Sequence, residues 1–293
     1  MWQTTRRGFI ALLALGFHLA AVAQGGLCMG GALPHPACLS AAELGSLPRQ
    51  AAGVSFLTSK GAQSHRWSGP SVWGLLQSAG IDDGSGLDRF VLAIGEDGYA
   101  AVFSIGELHP QAGALPSIVA IDGDGPPARR LTAPRDARGG RYVFMLARIE
   151  VRAAPRSSAK DDLGASARRG LSILRDGVAT RHLDAAELMR LSSAATVAPS
   201  GSAGLDLWQL VQTSGVAPLD PADSLRSYLI ATGAGGRRVV LAAAEIDPAF
   251  AGRAARISVG TNGSLQLTVP EDLTRVRWTE GLHSLDVIRW QGP

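Results

Sequence analysis

Cysteine is nearly missing from this chain: Cys28 and Cys38 are the only two in 293 residues. That scarcity excludes a disulfide-rich scaffold. It excludes a structural zinc finger as well, because tetrahedral zinc needs four donors and neither cysteine has a partner at finger spacing. His35 is the one nearby candidate donor, and it reads as a loop residue. Lysine is as rare, occurring at Lys60 and Lys160, so nearly all of the 28 basic residues are arginines. Against 25 acidic residues they leave a formal charge of +3. A body so near neutrality lacks the basic face that phosphate-backbone binding requires, which sets nucleic acid aside as a partner.

Several motifs are absent too. No G-x-x-x-x-G-K-S/T loop and no G-x-G-x-x-G after a strand occurs, so nucleotide binding by those devices is out. There is no H-E-x-x-H, and Gly69-Pro-Ser71-Val-Trp73 ends in tryptophan where a hydrolase elbow needs glycine. Asp122-Gly-Asp124-Gly125 begins like a calcium loop. Its twelfth position is Ala133, where a bidentate glutamate would be needed, so the segment reads as a hairpin turn.

What is present begins with an export signal. Residues 1–23 run from a basic start through an apolar stretch, Gly8 to Ala21, to an Ala21-Val-Ala23 cleavage pattern. The stretch is shorter than the roughly 20 residues that span a bilayer, and no later segment is long and apolar enough. Thr5-Arg6-Arg7-Gly8-Phe9-Ile10 reads as a twin-arginine signal, whose pathway carries folded proteins; an ordinary secretory signal with two arginines is the alternative. The expected location is periplasmic or secreted, and the expected state of the two cysteines in that oxidising compartment is one small disulfide loop ahead of the first folded unit.

The rest of the chain, 46% hydrophobic overall, repeats itself. Leu39-Ser-Ala-Ala-Glu-Leu44 is echoed by Leu183-Asp-Ala-Ala-Glu-Leu188, and Trp73-Gly-Leu-Leu-Gln-Ser-Ala-Gly-Ile81 by Trp208-Gln-Leu-Val-Gln-Thr-Ser-Gly-Val216. Glu107-Leu-His-Pro110 then matches Glu245-Ile-Asp-Pro248, and Leu131-Thr-Ala-Pro-Arg-Asp136 matches Leu267-Thr-Val-Pro-Glu-Asp272. Four matches in one order imply two tandem copies, at 36–152 and 170–290, joined by a linker at 153–169 rich in small and polar residues.

Local signals agree between the copies. Ser40 and Asp184 are N-cap residues with Glu43 and Glu187 three positions on. Pro70 suits the first turn of a second helix, Gly80 its end, and Val72, Leu75, Leu76 and Ala79 its one apolar face; Gly215 ends the matching helix. Phe90–Ile94 and Tyr99–Phe103 flank the turn Glu96-Asp97-Gly98, and Arg256–Val259 and Leu265–Val269 flank Asn262-Gly263. Trp73 and Trp208 read as core anchors. The fold class expected is α+β with mixed, mainly antiparallel sheets and short helices.

Charge concentrates in one place, residues 129–141, with arginines at 129, 130, 135, 138 and 141 around Gly139-Gly140. Such guanidinium groups can grip a phosphate bidentately, or the segment is a solvated loop. Asp97-Gly98-Tyr99 likewise has a plain reading, a hairpin whose aromatic ring packs on its sheet.

At Ser59-Lys-Gly61, Trp67-Ser-Gly69, Trp73-Gly-Leu-Leu76, Asp97-Gly-Tyr99 and the tail from Leu131 to Val151, the first copy resembles the molybdopterin-binding domain of the sulfite oxidase superfamily, and in particular its small exported bacterial members. The resemblance implies a molybdopterin cofactor and a redox partner in the periplasm or at the membrane. It implies Arg130, Arg135 and Arg138 on the cofactor's phosphate, with Asp97 and Tyr99 shaping the pocket. In that family a cysteine thiolate binds molybdenum from a Cys-x-Gly segment, and here that slot holds Ser59. Serine is a hard, weakly acidic alcohol, so the usual soft ligand is missing. The second copy has Ala198-Pro-Ser-Gly-Ser202 there, with Gln266 where Arg130 stands and Val276-Arg277 set against Val143-Phe144. Two functions follow: an exported oxidoreductase-like protein with Ser59 near the metal, or a cofactor-free periplasmic binding or assembly module on the same duplicated fold.

Overall fold

The computed structural model describes residues 26–82, 84, 86–124, 129–156, 170–194, 204–215, 219–260 and 262–292. The export signal and most of the linker, 157–169, lie outside them. The chain is α+β, with mixed, mainly antiparallel sheets and short helices.

The first half contains β1 (Leu27–Gly31), β2 (Ala37–Leu39), α1 (Ala41–Ser46), β3 (Gln50–Thr58), β4 (Gly61–Gly69), α2 (Val72–Ser78), β5 (Arg89–Gly95) and β6 (Ala100–Ser104). It continues with α3 (Ile105–Leu108), β7 (Val119–Ala120), β8 (Asp122–Gly123), β9 (Arg130–Leu131) and β10 (Leu146–Ala153). The second half contains β11 (Gly170–Arg175), β12 (Val178–Asp184), α4 (Ala185–Ala194), β13 (Leu205–Asp206), α5 (Leu207–Thr213), α6 (Pro221–Ser224), β14 (Ser227–Thr232) and β15 (Arg238–Ala242). It ends with α7 (Ala243–Ile246), β16 (Arg256–Val259), β17 (Leu265–Thr268), β18 (Thr279–Glu280) and β19 (Ser284–Arg289).

Each half is built round a five-stranded sheet. The first has the order β2-β1-β10-β5-β6, the second β12-β11-β19-β14-β15. In both, the opening strand of the half runs parallel to its closing strand and every other pair is antiparallel. The capping signals act as their chemistry dictates. Glu43 N donates to Ser40 Oγ at 3.2 Å while Ser40 N donates to Glu43 Oε2 at 2.8 Å. At the start of α4, Glu187 N donates to Asp184 Oδ1 at 2.7 Å, but the Glu187 carboxylate turns aside to Arg181. Val72, Leu75, Leu76 and Ala79 are all buried, and Gly80 leaves the helix at φ +90°.

Four expectations need correction. Pro70 lies ahead of α2 and not in its first turn, because Ser71 Oγ accepts from Gly74 N and so occupies the cap. Asp122-Gly123, in the connection between the antiparallel β7 and β9, is a short strand paired with Trp67 and Ser68 of β4 rather than a plain turn, and Gly125 lies outside the described residues. Trp73 and Trp208 are half-buried at the margins of their cores rather than enclosed by them. The cysteines are not ahead of the folded unit: Cys28 lies in β1 directly opposite Cys38 in β2, and the two are disulfide-bonded. With glycines on both sides and no β-branched residue, Leu27–Gly31 carries little strand signal, yet Leu27 and Met29 are buried in the core. Reducing the bond, or a Cys28→Ser change, is expected to cost about 3 kcal/mol by the loop-entropy argument for a separation of 10 residues. The fall in urea midpoint of the reduced protein relative to the oxidised one measures it.

The two sheets pack face to face. Phe90, Leu92, Ile94, Ala100 and Val102 of one meet Tyr228, Ile230, Val240 and Ala242 of the other, with Phe90 and Tyr228 stacked at 4.2 Å. Hydrogen bonds cross this interface in reciprocal pairs. Val102 N donates to Leu225 O at 2.9 Å and Val240 N to Leu87 O at 2.8 Å; Ala137 N donates to Phe250 O and Leu273 N to Ala112 O, both at 3.1 Å. Gly106 is glycine because Arg277 crosses it: a Cβ there would lie 2.3 Å from Arg277 Cδ.

Candidate functional site

In the first half, the long hairpin of β3 and β4 folds over the segment 120–124, leaving a cleft of about 580 Å³. Alternation along the strands decides which side chains face it. Phe56 and Thr58 come from β3, Gln63, His65 and Trp67 from β4, and Ser59 and Lys60 from the hairpin tip; Arg130, Gly139 and Tyr142 form the opposite wall.

The wall is aromatic and fixed. Phe56 stacks on Tyr142 at 4.1 Å and His65 on Trp67 at 4.7 Å, while Trp67 Nε1 donates to Asp124 O at 2.9 Å. The Arg130 guanidinium lies between two rings, 4.7 Å from Trp67 and 4.9 Å from Phe144. It makes no ion pair with a described residue, and burial pulls it below its ordinary pKa. A half-buried cation packed on two aromatic rings, with no counter-ion among the described residues, can hold an anion. The Tyr142 hydroxyl is buried without a hydrogen-bond partner among the described residues. Burial, helped by the charge of Asp136, pushes this phenol far above its usual range, so it keeps its proton as a donor.

Of the six residues singled out from sequence, Ser59 and Arg130 are brought together here. The other four do not line the cleft. Arg135 donates to the carbonyls of Gly113 and Ala114, and Arg138 pairs through its backbone with Leu57 beside the cleft. Asp97 caps the hairpin turn by accepting from Tyr99 N at 2.9 Å, and Tyr99 Oη donates to Gly140 O at 2.6 Å, bracing the wall from behind. The arginine cluster therefore disperses: Arg129 pairs with Glu96 at 2.6 Å and Arg141 is wholly buried. Pro134 and the single turn Gly139–Arg141 send successive side chains to different sides. Sequence reasoning missed Phe56, Lys60, Gln63, His65 and Tyr142 as lining residues. The available signal was His65 and Trp67 two apart on one strand face.

Arg141 anchors the wall from inside. Its Nε and Nη2 donate to the two Asp136 oxygens at 2.8 and 2.6 Å, and its Nη1 to Glu107 Oε1 and Oε2 at 2.9 and 2.8 Å. The second half has the same arrangement in Arg277, which holds Asp272 through Nε at 2.7 Å and Glu245 through Nη1 at 2.6 Å. Arg277 is thus the counterpart of Arg141, not of Phe144, and it is fully committed inside the protein.

A molybdenum atom held in the usual way does not fit these residues. Both cysteines are spent in the disulfide, Ser59 offers only a hard oxygen, and no group of three or more potential metal donors occurs among the described residues. Arg130 has the forked charge that the phosphate end of such a cofactor would need. No family model matches the chain, and no curated protein matches it. Among solved structures, the sulfane dehydrogenase SoxCD from Paracoccus pantotrophus matches with 13% identity and a TM-score of 0.37, over 91% of this chain and 64% of that one. The chain thus spans less than two thirds of the length of that protein.

Proposed function

We propose that this protein is a binding module whose cleft takes a planar aromatic anion, with a phosphorylated pterin as the ligand class, and that it holds that ligand without a thiolate-bound metal. The observation that carries the reading is Arg130, charged, half-buried, stacked between Trp67 and Phe144 and lacking a described counter-ion. Aromatic faces supply the planar contact, Lys60 and His65 add positive or hydrogen-bonding groups, and the orphaned Tyr142 hydroxyl supplies a donor. A cleft of about 580 Å³ is the size that small organic ligands occupy.

The two halves are, in this reading, copies of one unit, of which only the first kept a ligand site. Support comes from the matching strand orders and from the reciprocal interface bonds, a pattern that equal partners produce when related by a two-fold axis. Export to an oxidising compartment fits the bridged cysteines. Among the described residues no helix is long and apolar enough to cross a membrane.

The test is a fluorescence titration with a phosphorylated pterin, alongside metal analysis of protein purified from its own exporting cells. Saturable quenching of Trp67 emission with molybdenum far below one atom per chain is expected. Stoichiometric molybdenum would overturn the metal-free reading in favour of an oxidoreductase with Ser59 beside the metal, and absence of quenching would remove the cleft as the ligand site. Ser59→Cys is expected to raise molybdenum occupancy, since it restores the soft donor.

A further inference from the structure

The ionic clusters of the two halves meet, and their charges do not balance. Among the described residues, Glu107, Asp136, Glu245 and Asp272 are enclosed with three buried guanidinium groups, those of Arg141, Arg277 and Arg253. With all four carboxylates ionised, one negative charge would be buried without compensation, which the low-polarity interior penalises heavily. We propose that this interface stores one dissociable proton on Glu107, so that acid tightens the docking of the two halves and alkali loosens it.

Two geometric facts tie Glu107 to Glu245 and set the two apart. First, the carboxylates of the two halves are bridged by one serine: Ser104 Oγ donates to Glu245 Oε2 at 2.9 Å and Ser104 N to Glu107 Oε1 at 2.9 Å. Second, the halves differ at one matching position. Arg253 N donates to Glu245 O at 2.9 Å, and its Nε lies 3.9 Å from the Glu245 carboxylate; at the corresponding place Leu115 N donates to Glu107 O at 2.8 Å. Glu245 thus has a second cation, Arg253, and the residue at the matching position of the first half is the uncharged Leu115. Other charged groups near the cluster lie at its rim: Arg135, exposed and bound to the Gly113 and Ala114 carbonyls, whose charge reaches Glu107 and Glu245, and Glu271, half-exposed, 4.0 Å from Arg253. His109, at the end of α3, is buried with Nδ1 accepting from Gln111 N, and Tyr142 lies beyond Asp136. Burial pushes Glu107 up to about 7 against the pull of Arg141, with the charges of Glu245 and Asp136 adding to the rise.

A carboxyl raised in the folded state contributes stability that is complete below its unfolded value of 4.5 and is lost as pH rises through about 7. The full-length protein is therefore expected to lose about 70-fold in its folding equilibrium constant between pH 5 and pH 8 through this group alone. Urea titrations across that range measure it against Glu107→Gln, which should remove that share of the slope; Glu245→Gln should move the transition to lower pH. An undiminished slope in Glu107→Gln overturns the proposal. Should that variant fail to fold, infrared difference spectra of the unmodified protein decide: a protonated buried carboxyl that disappears through about pH 7 supports the stored proton, and its absence at pH 6 overturns it.

Discussion

Arg141→Met is expected to destabilise the protein by about 3–5 kcal/mol, the largest single effect in this structure. The guanidinium is fully buried and saturates two carboxylates at once, so its removal leaves Asp136 and Glu107 enclosed with no cation of their own half. Much of the cost is the burial of charges left unpaired rather than the value of the ion pairs themselves. Adding Glu107→Gln and Asp136→Asn to the same chain should therefore recover part of the loss, because the two carboxylates that lost their cation are then neutral. Chemical denaturation of the single and triple variants measures both. A cost under about 1 kcal/mol for Arg141→Met would mean that water reaches the cluster.

Arg130→Gln is expected to weaken ligand binding by about 10- to 100-fold while leaving stability nearly unchanged. The separation follows from its surroundings. Arg130 holds no described carboxylate in place, so the fold loses only its contacts with Trp67 and Phe144, worth about 1 kcal/mol. A bound phosphate loses a forked, charged donor. Arg130→Lys should fall between the two, because it keeps the charge and loses the planar fork. Arg135→Gln provides the contrast: its guanidinium is directed to the Gly113 and Ala114 carbonyls, so affinity should hold. Equal losses at 130 and 135 would disperse the anion site away from the cleft.

Both predictions concern arginines from one thirteen-residue stretch, and the stretch shows where sequence reasoning stops. Five guanidinium groups so close in sequence read as one grip, yet they divide among a carboxylate at the surface, a pair of aromatic rings, two loop carbonyls, solvent and a buried cluster. Which guanidinium goes where depends on what lies opposite, and nothing within the stretch records that. The aromatic wall was hidden for a similar reason. Phe56 and Tyr142 stack at 4.1 Å although 86 positions separate them in the chain, and only hairpin closure over the 120–124 segment brings them together.

Properties that a few neighbouring residues decide were legible from the chain alone. The Ser40 cap, the buried stripe of α2, the turn at Asp97-Gly98 and the α+β class depend on contacts within one turn or one hairpin, where spacing and chemistry suffice. Tertiary structure alone decided the membership of β1 in the first sheet, the gathering of Ser59 and Arg130 into one cleft, and the meeting of four carboxylates with three arginines between the halves. Those are long-range pairings, and their energy comes from desolvation and from partners that no local pattern specifies.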